Sequence, residues 1–256
     1  MRRALLLLAA LACPSTAWAQ HDEASVRALA EQLFGPVPAD AATVLHPLPW
    51  AARPPVPGTT HVLVAQDSRT ALIALIAIPE TRGQPPAPQA LLLGQAGDPA
   101  QCQVPPGMVE SEVLEEFNAP REGDAGLGQP IVTMLAADGT ALIGLTWRLG
   151  ERGNAAHGLA LFRQDGALLQ EIGCFVVRLD ATITYEGGAE DAPARRRRVS
   201  NVWRVEPGPD PATPLLLRDT SRPQRPLAIR PDPDLGRYAI VPPAPVPERE
   251  DRRRRR

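Results

Sequence analysis

The sequence predicts a mainly β protein: antiparallel hairpins forming a sandwich or a partly open barrel, with a short N-terminal helix and irregular proline-rich segments. Three observations carry that expectation. Asp138-Gly139 and Asp165-Gly166 each separate two apolar, β-branched runs, a strong short-range hairpin signal. Ile143, Leu145 and Trp147 alternate with Gly144, Thr146 and Arg148, the period of a strand with two different faces. The chain also holds 30 prolines, which interrupt helices and central strands alike.

The elements follow in order. Over 22–34, Val26, Leu29, Leu33 and Phe34 recur at helical spacing, Asp22 and Glu23 sit in the opening turn, and Gly35-Pro36 stops the helix. Residues 36–57 carry seven prolines around Trp50, so they run extended over a surface or form a flexible linker. His61 to Gln66 and Thr70 to Ile78 are strands joined by Asp67-Ser68-Arg69. The second is apolar on both faces and predicts a central strand covered twice.

Ile131 to Ala136 pairs with Thr140 to Arg148, and Leu159 to Arg163 with Leu168 to Leu179. Both central residues of each Asp-Gly turn are expected at positive φ. Thr182 to Glu186 and Val199 to Glu206 are two further strands around a polar loop, in which Arg195 to Arg198 reads as a solvated turn. Residues 207–247 hold twelve prolines, so Leu215 to Arg218, Leu227 to Arg230 and Tyr238 to Val241 read as edge strands.

These elements divide the chain into a signal peptide (1–19), a helical and proline-rich extension (20–59), a β-rich globular domain (60–242) and a disordered tail (243–256). The leader has Arg2 and Arg3, an apolar core over Ala4 to Ala12, a helix-breaking Pro14, and the small-x-small site Ala17-Trp18-Ala19. Cleavage after Ala19 predicts a periplasmic or secreted protein. Lipidation at Cys13 is the alternative. No later apolar run reaches the roughly 18 residues of a membrane span, so the mature chain is expected to lack a transmembrane segment.

All 27 basic Lys and Arg positions are arginine. Without lysine there is no Schiff-base nucleophile and no phosphate-loop lysine. The formal charge is −2, but setting aside Arg2, Arg3 and the five terminal arginines leaves 20 of the 27 against 29 acidic residues, or −9. An acidic body argues against nucleic acid as partner.

Cys102 and Cys174 are the two cysteines of the mature chain, and in an oxidising compartment an even count reads as a disulfide. No Cys-x-x-Cys spacing supports zinc or redox chemistry. His21, His46, His61 and His157 are scattered, no Gly-x-Ser-x-Gly elbow occurs, and neither a metal nor another cofactor is expected.

Two places remain as candidate sites. Glu110, Glu112, Glu115 and Glu116 begin an acidic stretch that runs to Asp124. Val109, Val113 and Phe117 form a helical stripe through it, which makes a solvated helix face the simpler reading and a carboxylate site the sharper one. Arg252, Arg253, Arg254, Arg255 and Arg256 end the chain and offer bidentate contacts to an anionic surface. The expectation is an exported, non-catalytic binding or structural protein of the cell envelope, its partner an envelope protein or an anionic surface. The alternative is a hydrolase or cation-binding protein built on the acidic 110–124 segment.

Overall fold

The computed structural model describes residues 23–48, 61–67, 70–77, 89–97, 101–108, 126–127, 132–151, 154–185 and 195–241. One helix and a large mixed sheet account for most of them. Helix α1 (Glu23–Phe34) opens with Glu23 in its first turn, where the helix dipole favours an acid, and ends at Gly35 with φ +82°. Among the described residues no helix is long and apolar enough to cross a membrane.

The first part of the sheet is a meander: β1 (Ala42–Pro47), β2 (His61–Gln66), β3 (Ala71–Ala77) and β4 (Gln89–Ala96), each antiparallel to the next. β3 is covered twice, as its two-faced apolarity predicts. Ala74 and Ile76, with Leu63 and Ala65 of β2, pack under Val26 and Ala30 of the helix. Ile73 and Leu75, with Val62 and Val64, meet Ile143, Leu145, Ala160 and Phe162 on the other side. The proline-rich stretch contributes β1, an edge strand. Arg27 binds the chain before it, donating to the carbonyls of Val37 and Pro38 at 3.1 and 2.6 Å.

The second part runs β5 (Gly126–Leu127), β6 (Val132–Leu135), β7 (Ala141–Glu151), β8 (Asn154–Asp165), β9 (Leu168–Tyr185), β10 (Arg195–Asp210), β11 (Thr213–Asp219), β12 (Leu227–Asp232) and β13 (Arg237–Val241). β5 and β6 lie along β7, and β7 through β13 form antiparallel neighbours in chain order. β4 joins the two parts by a short parallel contact with the start of β9, Leu93 beside Leu168. The later strands pack around a core of Phe175, Leu215, Leu217, Ile229 and Tyr238 without closing the sheet, the arrangement of a sandwich or a partly open barrel.

Four local expectations are corrected. The two strands expected at 168–179 and 182–186 are one, β9, because Asp180 takes hydrogen bonds from Ser200 and Arg178 rather than breaking the strand. Arg195 to Arg198 are not a turn but the start of β10, paired with Tyr185 to Thr182, whose β-branched and aromatic residues favour an extended partner. The Asp-Gly turns need one positive φ, not two. Gly139 has φ +86° after a turn closed by its N–H on the Ala136 carbonyl, and Gly166 has φ +61° at the first of two loop positions. Finally, β11 and β12 are internal rather than edges. Pro209 on β10 and Pro214 on β11 both fall in the register shift between the pairs Pro207–Leu215 and Asp210–Thr213, where the ladder is interrupted.

Candidate functional site

Cys102 and Cys174 are joined, with Cα atoms 4.7 Å apart. Closing a loop of 72 residues stabilises the fold by about 4 kcal/mol on the chain-entropy account. The bridge fixes the segment carrying Gln103. That residue lies parallel to β9, its N–H donating to the Cys174 carbonyl at 2.9 Å and its carbonyl accepting from Val176 at 2.8 Å. Its side chain reaches β13, where Nε2 donates to the Tyr238 carbonyl at 2.8 Å and Oε1 accepts from Ile240 N–H at 2.9 Å. Gln103 thus spans the open seam of the barrel with four hydrogen bonds.

Behind the disulfide, Trp147 Nε1 points at Cys174 Sγ, 3.1 Å away. A small cleft runs beside them, lined by Gln66, Ala71, Gly97, Leu145, Trp147 and Cys174. Gln66 is 6% exposed and, among the described residues, its Oε1 has no hydrogen-bond partner. At the cleft's Gly97 end, Glu171 accepts from Gly97 N–H at 2.6 Å. Burial pushes the Glu171 carboxyl up from its ordinary value, against the Gly97 bond and the Arg237 charge.

The sharpest polar cluster lies farther along β8, β9 and β10. Asp180 accepts from Ser200 Oγ at 2.6 Å and from the Arg178 guanidinium, with Arg178 Nε at 2.9 Å. His157 Nε2 stands 3.8 Å from the second carboxylate oxygen. Burial alone would raise the Asp180 carboxyl, but the Ser200 bond and Arg178 outweigh it and hold it below the ordinary range. Burial, and then the Arg178 charge, press His157 down, with Asp180 opposing.

A β-bulge makes this cluster. His157 pairs with Arg178 but Gly158 pairs with Val176, so Val177 is an extra residue on β9. The insertion moves Arg178 and Asp180 onto the His157 face of the sheet. Chemically the order is Ser–Asp–His, with the carboxylate in the middle. Ser200 is therefore bonded to a weak base rather than to an imidazole, unlike an activated nucleophile.

Of the residues singled out in the sequence, the structure brings Cys102 and Cys174 together. Glu110, Glu112, Glu115 and Glu116, Arg252 to Arg256, the leader and Cys13 lie outside the described residues. Among the described residues no group of three or more His, Cys, Asp or Glu is gathered to hold a metal ion. Sequence reasoning missed Arg178, Asp180 and Ser200. The signal was the alternation of Arg178, Asp180 and Thr182 with Leu179, Ala181 and Ile183, two charges in the middle of an apolar strand. Comparison with protein-family models, curated proteins and solved structures finds no match.

Proposed function

We propose that the chain is an exported, non-catalytic binding protein of the cell envelope. The observation that carries the reading is the Cys102–Cys174 bridge beside Gln103, because both cysteines of the body are used to hold a barrel seam. Such a staple persists in an oxidising compartment and suits a chain whose first 19 residues read as a secretory leader. The binding half rests on the polar face of β8, β9 and β10. Its serine is committed to a carboxylate of low basicity, which suits recognition better than nucleophilic attack.

Fractionation of cells making the full chain tests the export half. The expected product is in the envelope or medium and starts at Gln20; a cytosolic product retaining Met1 overturns it. Turnover of ester, glycoside or peptide substrates that disappears in Ser200→Ala overturns the non-catalytic half.

A further inference from the structure

Arg148, His157 and Arg178 stand directly opposite one another on β7, β8 and β9, so three basic side chains leave one face of the sheet in a single row. Like charges placed directly opposite destabilise a sheet unless something neutralises them. The one carboxylate acting on His157 is Asp180, already engaged by Arg178 and Ser200. Among the described residues the Arg148 side chain makes no hydrogen bond or ion pair. Two residues beyond Asp180 on the same face, Thr182 pairs with Arg198, also exposed and without a partner among the described residues. A body that is acidic as a whole concentrates positive charge here.

Resting on the binding reading above, we propose that the Arg148–His157–Arg178 row binds the phosphate group of a soluble ligand, free phosphate or a phosphomonoester. Adjacent strands are about 4.8 Å apart, so the two arginine Cα atoms lie about 10 Å from each other with His157 midway, within reach of one shared anion. A phosphate group carries about −1.5 to −2 at neutral pH, matching Arg148 and a His157 that takes up a proton beside the bound anion. Arg148 offers an unused planar fork for bidentate contact, and Arg178 is 47% exposed with donors left over from Asp180. The Val177 bulge supplies the register that brings the third cation into the row. The groups facing His157 are Arg148 from β7, Arg178 and Asp180 from β9, with Ser200 of β10 behind Asp180; of these protein groups His157 is the one whose charge changes near neutrality, alongside the phosphate itself.

The test titrates the mature full chain with inorganic phosphate at low ionic strength, reading the His157 imidazole resonance, with chloride as control. The expected result is saturable binding, a raised His157 pKa in the complex, and about tenfold weaker binding in Arg148→Gln with its melting temperature unchanged. If Arg148→Gln does not fold, calorimetry on His157→Gln gives the same reading. Absence of saturation, or equal affinity in the variants, overturns the site. Vesicles containing phosphatidylglycerol form a second arm: binding to vesicles without binding to free phosphate overturns the soluble-ligand assignment. A protein found mature in the envelope that ignores phosphate sinks this inference alone. Phosphate binding by a cytosolic, unprocessed chain sinks the export reading instead.

Discussion

Gly158 lies directly opposite Trp147 across the β7–β8 ladder, and a β-carbon at 158 would stand 1.9 Å from indole Cε2 and Cζ2. The indole has little room to yield. It is 4% exposed and lies against the disulfide sulfur of Cys174. The contact places a glycine where the strand alone would accept any β-former, and it fixes the wall against which the Cys102 segment is bridged.

Gly158→Ala is expected to destabilise the protein by about 1–3 kcal/mol, the usual cost of forcing atoms into a packed core. In a double-mutant cycle with Trp147→Leu, the alanine should cost little once the indole is gone. Urea denaturation of the three variants checks both statements. An alanine tolerated beside the intact indole would contradict the packing described.

Gln103→Ala removes both side-chain bonds across the seam and should cost about 2 kcal/mol. Its local signature is faster amide exchange at Ile240, whose N–H loses its acceptor. Gln103→Glu keeps an acceptor for Ile240 but loses the donor to Tyr238, so it should protect the Ile240 amide while remaining less stable than wild type. Hydrogen exchange read by mass spectrometry or NMR separates the two variants.

The pH dependence of stability has two opposed parts. His157 is held below its ordinary value of 6.5, by burial first and Arg178 next, so the unfolded chain takes the proton at higher pH than the native one. Its contribution is complete above that value and is lost as pH falls through the native pKa. Glu171 is raised above 4.5 by burial, so its contribution is complete below 4.5 and is lost as pH rises through the raised native value. His157→Gln should flatten the acid side of the profile near pH 6, and Glu171→Gln should remove the loss above 4.5. Thermal melts across pH 4 to 8 measure both slopes.

Gln66→Met should stabilise the protein by about 1 kcal/mol, because the buried Oε1 has no partner to lose. A melting temperature that falls instead would mean that a bound group satisfies this oxygen in solution.

Local features were legible in the chain where the physics is local. The two-faced apolarity of Thr70 to Ile78 places β3 between layers, and Asp138-Gly139 and Asp165-Gly166 mark hairpins, because turn chemistry and burial act over a few residues. The cysteine pairing was legible because residues 20–256 hold one pair of cysteines. What was not legible depends on register. Nothing in Phe175 to Asp180 reveals that Val177 is an extra residue, since a bulge exists only relative to its partner strand. The face shared by His157 and Asp180 was hidden for that reason. Gln103 reads as a loop residue because its four bonds go to strands far along the sequence. Arg195 to Arg198 read as a turn because like charge obscured a backbone that β9 was able to pair.

Mass mapping of the native protein, alkylated under non-reducing denaturation and digested, tests the central relationship most directly. A single cross-linked species joining the Cys102 and Cys174 peptides, with neither of these two cysteines alkylated, is the expected result. Two separately alkylated peptides would contradict it, leaving the barrel seam without its staple and the exported reading without its structural support.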